Sequence, residues 1–451
     1  MSDNDKNRHD VKYGSANDEA QSGTALLLVV LSVLGVGVGY AASVTAARIL
    51  GPAAFENYAV AIAALGLLAT LAEAGVGKYA LKVMPGFTAA EQWSLASGYW
   101  RYSLRATLVI SIVLAAGVVL WEGVDNNELG SYPLGIAAFF LPAAALAGVG
   151  VDFVMANRAA VAGTLIARLV VPATTLMLLI AAGTWLNDVS GGIAVICFGM
   201  GSFVGVVLCG FAFRRTSPPQ IFSATPESDH GEWLRECGYF MGISFLMSWI
   251  LRISIVILEL LPVPESEVGY FAAALETGCL ILLLSKSTDK LFQPEMSVIV
   301  QNSDRKAGIR LRNRRYAFVG SGCAVFMSIM IFRGRDILGL YGAEFRAGYA
   351  SLCFVSAGTC TWTMFSLAPV YLRFAGRSAV VISTTVVGAV MMAVLTTLLG
   401  IRYGATGAGI AFCIVLCTVS GCFLFVSTRE FFRQDDSDTA ATDRGHENVL
   451  R

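Results

Sequence analysis

Twelve long apolar stretches follow one another along this chain of 451 residues, and they restrict its fold more than any other feature. A helix that crosses a bilayer needs about 20 mostly apolar residues, and an α-helix pairs its own backbone polar groups, as a membrane interior requires. The sequence therefore predicts an all-α, polytopic membrane protein with about 12 transmembrane helices. The predicted spans lie near residues 24–47, 56–74, 103–121, 133–153, 162–185, 191–213, 237–261, 267–286, 316–332, 349–370, 378–399 and 405–427.

The composition supports this class of protein. Hydrophobic residues make up 56% of the chain and charged residues 14%, whereas soluble domains carry about 25% charged residues. The 32 basic residues balance the 32 acidic ones, and no long basic arm points to a nucleic-acid partner. An ordinary soluble enzyme, a disordered chain and a nucleic-acid-binding protein are therefore excluded.

Cysteine and histidine give no sign of a metal site or a catalytic centre. The ten cysteines lie in or beside apolar stretches and form no C-x-x-C pair, so packing explains them. The histidines (His9, His230 and His446) lie in polar tails or in a polar loop. We predict a protein that is not an enzyme, with no metal, no catalytic residue and no cofactor other than a coupling ion, H⁺ or Na⁺.

Lysine and arginine predict the orientation. With an even number of spans, both polar tails lie on one side of the membrane. If that side is the cytoplasm, cytoplasmic segments hold 26 of the 32 basic residues and the opposite side holds five, while Arg252 lies within a span. Because cytoplasmic loops carry an excess of basic residues, we expect a multi-pass protein of the cell inner membrane with both termini in the cytoplasm.

The two halves of the chain share short motifs in the same order. Residues 58–61 (YAVA) and 270–273 (YFAA) each precede a lysine, Lys78 or Lys290, that follows the tyrosine by twenty residues. A Gly-Ile-Ala triplet opens the last span of each half. Such ordered matches indicate a six-plus-six duplication, which is common among transporters.

This duplication divides the chain into two six-helix lobes, a linker and two tails. The predicted parts are a disordered cytoplasmic tail (1–23), the first lobe (24–213), a cytoplasmic linker (214–235), the second lobe (236–427) and a cytoplasmic tail (428–451) that is disordered from about 434.

Several segments resemble bacterial polysaccharide transporters, the Wzx-like oligosaccharide flippases of the multidrug/oligosaccharidyl-lipid/polysaccharide (MOP) exporter superfamily. They follow one another in the order expected for that family, at residues 47–58 with 72–77, 267–273, 338–345 and 403–409. One feature differs: relatives often carry an Asp-Arg pair in span seven, whereas Arg252 has no acidic neighbour at that depth on its own helix.

The resemblance implies a MOP- or MATE-like bundle whose two lobes surround a central cavity that opens alternately to each side of the membrane. The implied substrate is a polyprenyl-diphosphate-linked oligosaccharide, flipped for the synthesis of O-antigen, capsule or exopolysaccharide. Membrane lipids and the glycosyltransferases and polymerase of the assembly system are the implied partners. The sequence has no Walker A motif, so an ion gradient or consumption of the product would drive transport.

Charges inside spans are costly and are therefore functional candidates by default. Arg252 in span seven and Glu276 in span eight have similar depths, given the helical rise of about 1.5 Å per residue. We expect Arg252 to contact a diphosphate or a sugar acid and Glu276 to couple a proton or cation. The alternative is a buried salt bridge that only holds the two helices together.

A second set of charged candidates lies mainly at the cytoplasmic ends of spans. A cationic cavity mouth there would attract an anionic lipid head group, whereas the structural alternative is interfacial anchoring by long side chains. The set consists of Glu73 and Lys78 at the end of span two, Lys286, Asp289 and Lys290 at the end of span eight, and Arg168 in span five. We expect the basic run 305–315 to anchor the chain at the inner surface, with anionic lipid or a synthesis partner as the alternative contact.

Three further positions predict how helices pack. The small-residue pairs Gly35/Gly39 and Gly201/Gly205 have the G-x-x-x-G spacing of close helix contacts. Pro172 is expected to kink span five.

A cation-coupled multidrug exporter of the MATE type is the alternative function, with the same architecture and a different cargo. A cavity for cationic drugs favours acidic residues, whereas the intramembrane charges here include Arg252 and Arg168. A flippase of peptidoglycan precursors is less favoured because such relatives usually have fourteen spans. A membrane polymerase or ligase would need a larger outer loop than this sequence contains.

Overall fold

A computed structural model describes the backbone of residues 3–125, 133–186, 188–301, 305–374 and 376–449. Side chains are described for residues 27–121, 133–186, 188–289, 292, 296, 307–373 and 376–429. Within these ranges the protein is helical and contains no strand, which confirms the predicted all-α fold.

The helices fall into two compact units, Met1–Ser248 and Trp249–Arg451. The first unit contains α1 (Asp3–Ala72), α2 (Val76–Ala89), α3 (Trp93–Asp125), α4 (Pro133–Ala156), α5 (Ala160–Leu165), α6 (Val171–Trp185), α7 (Gly191–Thr216) and α8 (Gln220–Ser223). Helix α9 (His230–Glu259) begins in the first unit and ends in the second. The second unit continues with α10 (Glu265–Gly278), α11 (Leu282–Gln301), α12 (Arg305–Leu338), α13 (Tyr349–Phe365), α14 (Leu367–Phe374) and α15 (Ser378–Val449).

Ten helical segments of the described chain are long and apolar enough to cross a membrane, and two of them are broken in the middle. Gly51 interrupts α1 with φ 72° and Gly404 interrupts α15 with φ 54°, a backbone conformation that suits glycine. The apolar parts of these helices, 46 and 52 residues long, exceed twice the ~20 residues of one span. Each is therefore long enough for two spans, and two crossings by each would give the predicted twelve.

A carboxylate stabilises the break in α15. Glu267 accepts a hydrogen bond at 2.8 Å from the backbone N–H of Ala405, the residue after Gly404. Negative groups at the start of a helix pair with otherwise unsatisfied N–H groups. Glu267 and Gly404 lie in two of the segments that carry the family resemblance, and here they have a structural use.

The boundary between the units corrects the predicted linker. It lies after Ser248 inside α9, not at 214–235. The first part of α9 belongs to the first unit because Trp233 and Cys237 are buried in its core, and Gly75 packs directly on the backbone at Cys237. A composition shift at two prolines suggested a linker, but it could not show which core the following helix joins.

The helices extend into both predicted tails. Helix α1 begins at Asp3 and α15 ends at Val449. An existing helix lengthens by one hydrogen bond per added residue without a new nucleation cost, which explains how polar segments continue the apolar helices.

An aromatic cluster holds one end of the first unit together. Tyr99 is fully buried and donates a hydrogen bond at 2.6 Å to the carbonyl of Val76, where α2 begins. Trp100 stacks on Phe213 with ring centroids 4.1 Å apart. Burial of large rings of this kind stabilises the junction of α2, α3, α4 and α7. This junction positions the charged residues of α2 and α4.

Large apolar side chains are exposed on the outside of the bundles. Trp121, Trp185 and Phe332 are among the most exposed residues, at 73%, 85% and 82%. All three lie at the ends of spans that the basic residues place on the outer side. Aromatic rings concentrate at membrane–water interfaces, so their positions fit a multi-pass membrane protein.

Candidate functional site

Arg252 and Glu276 carry opposite charges on the consecutive helices α9 and α10 of the second unit. Both side chains are exposed, although the residues beside them on each helix, such as Ile253 and Thr277, are buried. The charge of Glu276 acts on Arg252, and the phenol of Tyr341 donates a hydrogen bond to Glu276 at 3.5 Å. The structure therefore places the two predicted residues close enough to interact electrostatically and leaves both side chains accessible.

The helix is irregular directly after Glu276. Helix α10 ends at Gly278, a turn of 3₁₀-helix spans Cys279–Ile281, and α11 then continues. Thr359 donates a hydrogen bond at 2.8 Å to the carbonyl of Gly278, and a side chain at Gly278 would overlap Val355. A 3₁₀ turn within a long helix often marks a functional hinge. The sequence analysis missed this feature because a single glycine in an apolar span has many explanations.

Arg168 lies on a second helix irregularity, in the first unit. Residues Ile166–Val170 form a π-helix, in which the N–H of Val171 donates to the carbonyl of Ile166. Pro172 has no N–H to donate, so the carbonyl of Arg168 loses its usual α-helical donor. The π-turn lies directly before Pro172, where the sequence predicts a kink, and π-bulges inside helices frequently occur at functional sites.

The side chain and the backbone of Arg168 have different neighbours. The side chain is exposed, while the carbonyl and Cβ pack against Gly35 of α1. A side chain at Gly35 would overlap Arg168, whereas Gly39 has nothing within 4 Å of the equivalent position. The predicted close contact is thus confirmed for Gly35 and is wrong for Gly39. Gly201 and Gly205 also form close contacts, with Thr175 and Val171.

Lys78 is held by an ion pair in the first unit. Its ammonium lies 2.9 and 2.7 Å from the two carboxylate oxygens of Asp152 on α4. The side chain of Asp152 is almost completely buried, whereas that of Lys78 is 44% exposed. Gly77 leaves the room that Asp152 occupies. Lys78 therefore combines a structural contact with partial access to solvent, and the pairing with Asp152 was not predicted.

Glu73 lies next to this pair, in the turn that follows the apolar segment Leu27–Ala72. Its carboxylate fills the space that a side chain at Gly148 would need. Burial raises the pKa of Glu73 to about 7; the charge of Lys78 opposes this shift and that of Asp152 reinforces it. Two carboxyl groups and one ammonium thus share the cytoplasmic end predicted for spans two and four.

Asp289 belongs to a polar network inside the second unit. It pairs at 2.9 Å with Arg315, whose side chain is 0% exposed, and it accepts hydrogen bonds from Ser285 and Ser366. Arg315 also donates to the carbonyl of Met364. These contacts are those of a structural support, not of an open cavity mouth. They also correct the prediction that the whole basic run 305–315 anchors the chain at the membrane surface.

The other two residues predicted at this mouth lie on the same helix, α11. Lys286 is exposed, and its charge acts on Cys279 in the 3₁₀ turn. The side chain of Lys290 lies outside the described residues. In the part of the chain whose side chains are described, no group of three His, Cys, Asp or Glu residues is placed to hold a metal ion.

Comparisons with known proteins give structural matches only. No protein-family model and no curated protein sequence matches the chain. Among solved structures, a multidrug resistance MATE family transporter of the MOP superfamily in an inward-facing conformation has a TM-score of 0.72 at 11% identity, covering 91% of this chain and 99% of its own. The lipid II flippase MurJ in an inward closed conformation has a TM-score of 0.69 at 13% identity, covering 90% of this chain and 89% of its own.

The chain has a MATE/MurJ-like fold. Another MATE structure, in complex with MaL6, has a TM-score of 0.61 at 12% identity and covers 91% of this chain and 96% of its own. These likenesses extend over nearly the full length of each protein, which confirms the predicted fold class. At such low identity they concern the fold alone, so the cargo must be argued from the residues of this chain.

Proposed function

We propose that this protein is a flippase that moves a polyprenyl-diphosphate-linked oligosaccharide across the cytoplasmic membrane by alternating access. The observation that carries the proposal is a pair of exposed arginines within predicted spans, Arg168 in the first unit and Arg252 in the second. Guanidinium groups bind phosphate oxygens in a two-pronged geometry, and charged residues inside spans commonly mark substrate pathways. A diphosphate is a ligand that such guanidinium groups would bind.

The two helix irregularities support a moving site. Arg168 lies on the π-turn directly before Pro172, and Glu276 lies three residues before a 3₁₀ turn. Broken helices near charged residues are typical of transporters, in which they form binding sites at membrane depth. We propose that Arg252 contacts the diphosphate, with Arg168 as a further candidate contact, and that Glu276 couples transport to H⁺ or Na⁺.

The remaining roles follow from the same scheme. Lys78, Lys286 and Lys290 would attract the anionic head group at the cytoplasmic side, with Glu73 beside Lys78. Surface polysaccharide synthesis would supply the substrate through glycosyltransferases and use it through a polymerase. The resemblance of the sequence to Wzx-like transporters supports this assignment, as does the likeness of the fold to a lipid II flippase.

A MATE-type multidrug exporter is the second candidate. The exposed carboxylate of Glu276 and the TM-score of 0.72 with a MATE transporter favour it. Exposed arginines within spans disfavour it, because a cationic drug would be repelled by Arg168 and Arg252. The two candidates therefore make opposite predictions for loss of an arginine.

A deletion strain of the host complemented with variants tests the proposal. The wild-type protein should restore a surface polysaccharide and clear its lipid-linked repeat unit from the inner leaflet. Arg252→Gln should restore neither, although the variant protein is present in the membrane at normal abundance. Arg402→Gln, which removes an exposed arginine beside the break in α15, is the matched control and should restore the glycan fully. If the deletion strain keeps its glycan and becomes sensitive to cationic drugs, the exporter is correct.

Coupling is tested separately at Glu276. Glu276→Gln keeps the size of the side chain but removes its ionisable group, so transport should persist and lose its dependence on an ion gradient. The structural alternative, a salt bridge that only holds α9 and α10 together, predicts that Arg252→Ala and Glu276→Gln both lower abundance. It also predicts that the exchanged pair Arg252→Glu with Glu276→Arg restores function.

A further inference from the structure

An amphiphilic crevice lies in the second unit, away from Arg252 and Glu276. It is formed by α11, α12, α14 and α15, and the space within it, open solvent included, amounts to about 510 Å³. Its apolar wall includes Ile309, Leu367 and Leu424, and its polar edge includes Arg312, Tyr316 and Tyr371. None of these residues belongs to the site proposed for transport.

The crevice lies where α12 and α15 change from polar to apolar sequence. Arg312 belongs to the basic start of α12, and the predicted span begins four residues later at Tyr316. Ser427 and Thr428 line the crevice at the end of the last span. This is the level of lipid head groups on the predicted cytoplasmic side, where basic pockets between helices bind anionic lipids.

Arg312 differs from the neighbouring arginines of the basic run. Arg315 is fully buried and paired with Asp289, the guanidinium of Arg314 lies 5.3 Å from the ring centre of Phe292, and Arg310 is exposed outside the crevice. The Nε atoms of Arg312 and Arg315 are both buried and have no hydrogen-bond partner within the described chain. Arg315 donates its other N–H groups to Asp289 and Ser366 and does not line the crevice, so Arg312 is the one whose Nε an occupant of the crevice could reach. A buried donor without an acceptor is unfavourable. An acceptor from outside the protein would satisfy it.

We propose that this crevice binds one anionic phospholipid, with its phosphodiester on Arg312 and one acyl chain along Ile309, Leu367 and Leu424. A free phosphate would leave the apolar wall exposed. The hydroxyl groups of an oligosaccharide would find few partners on that wall. The single guanidinium matches the single negative charge of a phosphodiester, whereas a diphosphate carries more charge than this edge can neutralise.

Lipid titration of the purified full-length protein, followed by native mass spectrometry, tests the proposal. Phosphatidylglycerol should bind at one saturable site at least tenfold more tightly than phosphatidylcholine. Arg312→Gln should weaken phosphatidylglycerol binding about tenfold, which corresponds to about 1.4 kcal/mol. Arg310→Gln removes the same charge two residues away, outside the crevice, and should change affinity less than twofold.

Two further variants separate the head group from the chain. Arg312→Lys keeps the positive charge but removes the Nε donor, so it should bind phosphatidylglycerol more weakly than wild type. It is also the replacement test variant if Arg312→Gln does not fold. Leu424→Trp should abolish phosphatidylglycerol binding, because the larger side chain fills the path of the acyl chain while Arg312 stays in place.

Three outcomes would overturn the proposal. Undiminished phosphatidylglycerol binding by Arg312→Gln would remove Arg312 from the site. An equal loss in Arg310→Gln would mean that binding reflects net charge alone. If undecaprenyl diphosphate binds in an Arg312-dependent manner and phosphatidylglycerol does not, the crevice belongs to the transported lipid and not to a phospholipid.

Discussion

At the scale of single residues, charges paired with a buried partner hold the fold, whereas other charges remain accessible. Asp152 and Asp289 are paired with Lys78 and Arg315, and in both pairs one partner is almost completely buried. Arg168, Arg252 and Glu276 are exposed and lie within predicted spans. Removing one member of a buried pair leaves an unpaired charge, whereas removing an accessible charge affects mainly the ligand.

Asp289 provides a direct test of this distinction. Asp289→Asn should lower the free energy of unfolding by about 3 kcal/mol, because it leaves the buried guanidinium of Arg315 unpaired. Thermal unfolding of the purified protein measures this loss. Asp336→Asn breaks an exposed pair with Arg333 and should cost less than about 1 kcal/mol. Normal stability with lost transport in Asp289→Asn would instead place Asp289 in the transport site.

Glu73 should make stability depend on pH. Its pKa is about 7 in the folded protein because of burial, and lower in the unfolded chain, so the folded state holds a proton that the unfolded state has lost between about pH 4.5 and 7. Below about pH 4.5 the carboxyl group of Glu73 is protonated in both states, and its contribution to the free energy of unfolding is fully present. This contribution is lost as the pH rises through 7. The wild-type melting temperature should therefore fall from pH 5 to pH 8 relative to Glu73→Gln.

The control for Glu73 is Glu265→Gln, which changes an exposed carboxyl at the start of α10. It should follow the wild-type pH profile. An unchanged profile in Glu73→Gln would show that the turn after Ala72 is more hydrated than its burial implies.

At the scale of helices, the sequence predicts where segments cross more successfully than how they pack. The lengths of the apolar stretches were enough to predict the spans, since a helix that crosses a bilayer needs about 20 apolar residues. The G-x-x-x-G spacing gave two possible contact glycines in α1, but only Gly35 touches another helix. Spacing does not show which turn of a helix meets a neighbour. That depends on the crossing angle, which is set by residues far away in sequence.

Gly35 and Gly39 are therefore a matched pair for mutation. Gly35→Ala places a methyl group against the backbone of Arg168 and should lower the melting temperature and abolish any activity that needs the π-turn. Gly39→Ala meets nothing within 4 Å and should be neutral or slightly stabilising, since alanine favours a helix by about 1 kcal/mol over glycine. Equal effects of the two substitutions would contradict the contact.

The candidate site shows the same limit of sequence reasoning. The similar depths of Arg252 and Glu276 on antiparallel helices predicted that the two residues lie close together, because the rise per residue of a helix is regular. The charge of Glu276 does act on Arg252 in the structure. The partners of Lys78 and Asp289 were not predicted, since Asp152 and Arg315 lie on other helices and a charge count does not reveal which charges meet. Tyr341, which donates to Glu276, lies in a connecting segment and carries no signal of its own.

At the scale of the whole molecule, the orientation rests on the distribution of basic residues. Ser223 ends α8 and Glu265 begins α10, so only the apolar helix α9 separates two positions that must face opposite sides. Reporter fusions at Ser223 should be cytoplasmic and those at Glu265 external. If the Ser223 fusion is external and the Glu265 fusion is cytoplasmic, α9 still crosses the membrane but the predicted orientation is wrong. If both fusions report the same side, α9 does not cross.

The break at Gly404 decides whether the bundle has twelve spans or fewer. If α15 crosses twice, Arg377 before it and Arg429 near its polar end lie on one side, and Arg402 lies on the other. Fusions at these three positions should report cytoplasmic, external and cytoplasmic locations. An α15 that crosses once would put Arg377 and Arg429 on opposite sides. The six-helix second lobe would then be lost, because the hydrogen bond from Ala405 to Glu267 would cap a kink within one span instead of the start of a new one.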